Sequence, residues 1–200
     1  MHLAGRPSWR MSESSRPDIL FALYVREAAG IGKLGLPDLS PGIPRLGTTG
    51  DADLLTAQWG RWWASVIEPE LVVPSGPLEL VPGTTHTVMV PATGAEQLRE
   101  VLEQLAEPAT EWSWAAKRAM GHREITRARR GGLEVTHLVN GFADELGRPV
   151  HPFSLDVEVL PTVEPGLWWI GQQTIAVSVD LRDDPEAYVA ALRPVVASLA

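Results

Sequence analysis

From Ile19 to Val25 the chain is apolar at every position, with Asp18 before the run and Arg26 and Glu27 after it. Asp18 is expected to cap a helix reaching about Ala29, with Gly30 as its C-terminal stop. The same unbroken run also satisfies a buried strand. Residues 30–50 are rich in Gly and Pro and read as an irregular loop, long for a compact domain. A second helix starts at Asp51 or Asp53. Leu54, Leu55, Trp59, Trp62, Trp63, Val66 and Ile67 recur along it at helical spacing, and Pro69 ends it. Residues 71–92 read as short β pieces broken by prolines, the best being Thr87-Val88-Met89-Val90.

The third helix carries the clearest pattern. Thr93 and Glu96 have capping-box spacing, and Leu98, Val101, Leu102 and Leu105 then fall at i, i+3, i+4 and i+7. Glu96, Glu100, Glu103 and Glu107 line another face, and Pro108 is expected to stop the helix. A fourth helix is expected from Thr110 to Arg130, ending at Gly131-Gly132. After Gly132 the period changes to two. Leu133, Val135, His137 and Val139 alternate with Glu134, Thr136, Leu138 and Asn140; Phe153, Leu155, Val157 and Val159 with Ser154, Asp156, Glu158 and Leu160; and Ile175, Val177 and Val179 with Ala176, Ser178 and Asp180. Three such runs predict an antiparallel meander with one buried face. Asp184 and Pro185 open a last helix with an apolar stripe at Tyr188, Leu192, Val195, Val196 and Leu199, kinked at Pro194.

The expected fold class is therefore α+β. A largely helical N-terminal half precedes an antiparallel sheet of three to four strands and a closing C-terminal helix. Residues 1–17 read as a disordered leader in which Met11 is a candidate start, and 18–200 as a single domain.

Composition changes this picture mainly by exclusion. There is no cysteine among the 200 residues, which removes disulfides, thiolate nucleophiles, cysteine zinc sites and iron–sulfur clusters. It also leans toward the cytoplasm. The run at 19–25 is far shorter than the ~20 apolar residues of a membrane span, so no membrane partner is expected. A net charge of -8 argues against general nucleic-acid binding. The charge is uneven, however. Between Trp114 and Arg130 lie Lys117, Arg118, Arg123, Arg127, Arg129 and Arg130 against the single acid Glu124. Arg123, Arg127 and Arg130 share one helical face that could grip phosphate or an acidic partner. The competing expectation pairs them with Glu96, Glu100, Glu103 and Glu107 across a helical hairpin.

Gly30-Ile31-Gly32-Lys33-Leu34-Gly35 matches G-x-G-x-x-G in letters, but a helix precedes it and Leu36-Pro37-Asp38 opens no helix after it. A helix stop and loop explain it better than a dinucleotide site. His122-x-Glu124 lacks the cysteines of a deaminase zinc site, and neither H-E-x-x-H nor G-x-S-x-G occurs. His137 and His151, if paired across neighbouring strands, could share a metal with Asp156, the one candidate metal set. No cofactor is otherwise expected.

Eight tryptophans are the compositional oddity. Trp62 or Trp63 is expected at the edge of the second helix's stripe. In a strand, Trp168 and Trp169 face opposite ways, one into the core and one out. Trp62, Trp63, Trp168, Trp169, Arg123, Arg127 and Arg130 are thus the candidate binding residues. The leading functional expectation is a non-catalytic module that binds a protein partner or self-associates. The alternatives are a small-molecule enzyme with a His/carboxylate pocket between sheet and helices, and phosphate contact through the arginine face.

Overall fold

A computed structural model describes residues 9–47, 50–72, 76–82, 88–128 and 133–200. Twelve elements follow in the order β1 (Arg10–Ser14), α1 (Pro17–Ala28), α2 (Ala52–Ile67), β2 (Leu78–Leu80), β3 (Met89–Pro91), α3 (Glu96–Ala128), α4 (Glu134–Leu146), β4 (Ser154–Leu160), β5 (Leu167–Trp169), β6 (Thr174–Ser178), α5 (Val179–Asp183) and α6 (Pro185–Leu199). The α+β expectation holds at that level, but the sheet is mixed rather than antiparallel. Its order is β1-β4-β6-β5, with β1, β4 and β6 mutually parallel and only β5 antiparallel to β6. β2 and β3 form a separate antiparallel ribbon.

Two of the expected element assignments fail for identifiable reasons. Residues 133–140 are not a strand; Glu134–Leu146 is helix α4. Its core contacts come from Val135, Leu138, Val139 and Phe142, a helical spacing that the alternating reading put partly on a polar face. Gly147 ends it in the left-handed conformation, φ 63°, which glycine adopts without strain. Second, Arg10–Ser14, placed in the expected leader, is an edge strand beside β4, with Met11 opposite Leu155 and Glu13 opposite Val157. Arg-Met-Ser-Glu-Ser carries one apolar residue, so nothing local marks it. It is held by cross-strand polar pairs, among them Ser14 Oγ donating to Glu158 at 2.8 Å and Ser12 Oγ to Asp156. Leader residues 1–8 lie outside the described residues.

Two cores flank the sheet. The first gathers α1, α2 and α3 with Leu160 and Ala176; the second gathers α4 and α6 with Leu155, Val157, Ile175 and Val177. The alternation of side chains along β4 and β6 sends neighbours to opposite faces, so both strands are buried throughout most of their length. Helix α1 is central: Ile19 through Val25, Arg26 and Ala28 are all buried. A helix apolar on every face must sit inside a core, which decides the strand-or-helix ambiguity of that run.

Helix α2 starts as expected, Asp51 accepting from the backbone N–H groups of Asp53 and Leu54. Pro108 does not stop α3, which runs unbroken for 33 residues. The buried stripe Leu98, Leu102, Leu105, Ala109 and Met120 passes straight through the proline and docks on α1. Packing along that length outweighs the roughly 3 kcal/mol that an interior proline costs. The capping box is shifted too, with Glu96 accepting from the N–H of Gly94 rather than that of Thr93.

Replacing the exposed Pro108 by Ala should therefore raise stability by about 1–2 kcal/mol, the helix gain exceeding the lost rigidity of the unfolded chain. Urea unfolding midpoints would read this. A loss of stability would mean that the proline fits a break in α3.

Candidate functional site

The three groups of residues singled out by sequence meet different fates. His137 lies exposed on α4 and His151 exposed just before β4, where its N–H donates to the Ala200 carbonyl. Asp156 on β4 is engaged by Ser12 Oγ and lies 3.8 Å from the Arg10 guanidinium. The metal reading required His137 on a strand beside His151, and the helix removes that geometry. Among the described residues no group of three His, Asp or Glu is placed to hold a metal ion. His86 lies outside the described residues.

The tryptophans of α2 are core. Trp59, Trp62 and Trp63 are all buried, so Trp62 and Trp63 are not surface binding residues. Trp59 and Trp63 stack with ring centres 5.1 Å apart, and Phe21 meets Trp62 edge-on. Their indole N–H groups find carbonyls: Trp59 donates to Ala22 at 3.2 Å and Trp62 to Met89 at 2.9 Å. On β5, Trp168 packs half-buried against the first core, while Trp169 is 45% exposed on the sheet's edge strand.

The arginine face does not meet the acidic face of Glu96, Glu100, Glu103 and Glu107. Both lie on one continuous helix, and at 1.5 Å rise per residue Glu103 and Arg123 are about 30 Å apart along it. The arginines turn instead to the far side of the sheet. Arg123 Nη1 donates to Asp180 at 3.2 Å and Asp183 at 3.0 Å, and Arg127 Nη1 donates to Asp183 at 2.8 Å. Glu13 of β1 lies 3.8 Å from Arg127 and accepts from Arg182 at 2.6 Å. Arg182 also lies over the buried Tyr188 ring, 4.4 Å from its centre. The tyrosine hydroxyl is pushed well above its usual pKa by burial, with Glu13 adding to the effect. Three acids and three arginines thus tie the C-terminal half of α3 to β1 and α5. Arg130 lies outside the described residues.

Between α3 and this network runs a half-open groove of about 440 Å³. Pro161 and Thr162, which follow β4, and Val179 and Asp180, which follow β6, form its floor. Trp112, Ala115, Ala116, Ala119 and Met120 of α3 form one wall, and Ser40 and Pro41 close the other side. The short side chains of the alanines leave the space unfilled, while Met120 is buried and Trp112 packs against the Tyr24 ring at 5.8 Å. Arg123 and Asp180, bound to each other, are the charged groups of the lining. The groove lies beyond the carboxyl ends of two adjacent parallel strands, where open α/β sheets bind ligands. Sequence reading did not find it, because its walls come from separate segments spread along the chain from Ser40 to Asp180.

The glycine motif belongs elsewhere. Gly30 and Gly35 take φ values of 70° and 76° as turn residues after α1, not as a cradle opening a helix. The loop is secured from below: buried Arg26 donates to the Pro37 carbonyl at 2.6 Å, Glu27 accepts from the Leu39 N–H at 2.5 Å, and Lys33 pairs with Asp38 at 2.6 Å. Leu36 and Leu39 are buried, which gives the long loop its fixed course.

Glu158 of β4 is 2% exposed and accepts from Ser14 Oγ at 2.8 Å and the Arg16 N–H at 3.0 Å, with Arg16 Nε also 3.0 Å away. Burial raises its pKa against the lowering effect of these donors. A raised carboxyl pKa adds stability that is fully present below the ordinary value of 4.5 and is lost as pH rises through the folded-state value. The stability of the natural protein relative to Glu158→Gln should therefore increase as pH falls from 7 toward 4.5. Urea midpoints measured across that range test it; a constant difference would mean that Glu158 titrates as an ordinary surface carboxylate. In the arginine network, Asp183→Asn should cost about 1–2 kcal/mol by weakening the hold on the largely buried Arg127, whereas Asp180→Asn at the exposed rim should stay within about 0.5 kcal/mol. Equal effects would deny the network its division into a buried part and a rim. The chain matches no family model, and comparison with curated proteins and with solved structures likewise gave no match.

Proposed function

We propose that the chain is a ligand-binding protein that receives a small, largely apolar molecule in the groove between α3 and the carboxyl ends of β4 and β6. One observation carries the reading: a concave site of about 440 Å³ whose lining is mainly aliphatic and aromatic, with Ser40, Thr162, Arg123 and Asp180 as its few polar groups. Ligand sites are typically about 300–1,000 Å³ and have this apolar lining with few convergent polar groups. A small-to-large change at Ala119, which is exposed and lines the groove, tests it without disturbing the core. Nile red should bind the natural protein saturably at one site. Ala119→Trp should weaken that binding at least tenfold, about 1.4 kcal/mol, with the thermal transition unchanged. Equal binding by both proteins would overturn the reading.

A second reading, self-association, is favoured by a separate surface. The β2–β3 ribbon turns Val90 into the core and presents Leu78, Leu80 and Met89 outward, Leu80 and Met89 directly opposite each other. Such a patch can meet its own copy about a two-fold axis. Light scattering over a dilution series should show a dimer that Leu80→Glu dissociates. A monomer at every concentration would exclude it. Neither reading involves a membrane span, since among the described residues no helix is long and apolar enough to cross one.

A further inference from the structure

The groove has a charged end, and the charges there are unequally held. Arg123 lines both the apolar groove and an adjoining cavity of about 350 Å³ formed by His122, Thr126, Arg127 and Asp183. Its two carboxylate partners differ. Asp183 is also bound by Arg127 at 2.8 Å and stays in place without Arg123. Asp180 is 73% exposed, and Arg123 is its one ion-pair partner among the described residues. An exposed pair of this kind is weakly held, because solvent screens the attraction. A guanidinium has five N–H donors in a rigid fork, and both of these aspartates fall on Nη1. The side chain is about half exposed and lines both cavities.

We propose that the ligand of the groove is an alkyl chain ending in an anionic oxygen head group, and that Asp180 competes with this head group for Arg123. The inference rests on the reading of the groove as a ligand site. From Arg123 the lining runs back along α3 through Met120 and Ala116 to Trp112, about 16 Å of helix axis, a run suited to a linear chain. At the cationic end a carboxylate or phosphate meets the guanidinium in the bidentate geometry that Asp180 does not achieve. Arg127 supplies further positive potential, balanced in part by Asp183 and Glu13, while Arg182 is engaged by Glu13. On the same face of α3, the His122 Nδ1 contacts the Arg118 carbonyl at 3.1 Å, which leaves Nε2 free of that bond. Displacing Asp180 costs little and leaves the Arg127–Asp183 pair intact, so the head group can enter without unfastening α3 from the sheet.

Calorimetric titration of the full chain with octanoate, octyl phosphate and 1-octanol tests this. At least one of the two anions should bind at least tenfold tighter than the alcohol, and the tighter one identifies the head group as carboxylate or phosphate. Arg123→Gln should erase the difference between anion and alcohol. Asp180→Asn should tighten anion binding at least threefold relative to the alcohol, a gain that a merely structural role for the pair would not produce. Octanol binding as tightly as both anions, or an anion preference that survives Arg123→Gln, would overturn the inference while leaving the groove reading intact. Failure of all three probes to bind would overturn both.

Discussion

The junction of Arg16 with Glu158 is the contact on which the architecture turns. The Arg16 guanidinium donates to the last carbonyls of α2, at Val66 and Ile67, and lies against Glu158 in the central strand β4. Its backbone N–H bonds the same carboxylate, just before the first turn of α1. One residue thereby joins the end of β1, the start of α1, the end of α2 and the middle of the sheet. A buried carboxylate is costly unless hydrogen-bonded and paired. The cost is offset here by two hydrogen bonds, from Ser14 Oγ and the Arg16 N–H, and by the adjacent Arg16 guanidinium, all from one segment far from β4 in sequence. Burial pushes the Glu158 carboxyl pKa up, against the lowering effect of these neighbours.

That junction also explains why the sheet is mixed. Once β1 lies along β4, the chain must cross over through α1–α4 before returning, and the strands run parallel. β6 adds to the other side of β4 in the same direction after the short return through β5. Parallel neighbours align their carboxyl ends, so the segments after β4 and β6 emerge together beneath α3. The groove is a product of this alignment and of the alanines at 115, 116 and 119, which keep α3 from closing it.

The length of α3 sets the electrostatics. Had Pro108 ended the helix, Arg123 and Arg127 could have folded back onto the glutamates of 96–107. With the helix continuous, they reach α5 and β1 instead, and the acidic face stays in solvent. The charge segregation visible along the chain therefore becomes a separation in space. The cationic end of the helix is neutralised by Glu13, Asp180 and Asp183, of which Asp180 alone is weakly held.

The amino-acid sequence by itself determined the local elements whose signals are short-range. The Asp51 and Asp184 caps, the stripes of α2 and α6, the helix stop at Gly30 and the opposite facing of Trp168 and Trp169 all follow from spacing and side-chain chemistry within a few residues. Where two periods fitted the same letters, as at 133–140, local pattern chose wrongly, because only the neighbour against which Leu138 and Val139 pack distinguishes helix from strand. Tertiary structure alone decided the parallel pairing of a polar edge strand, the survival of α3 through Pro108, the burial of Trp62 and Trp63, and the groove itself. Each of these depends on free energy gained between segments that are distant along the chain, and no window of sequence contains both partners.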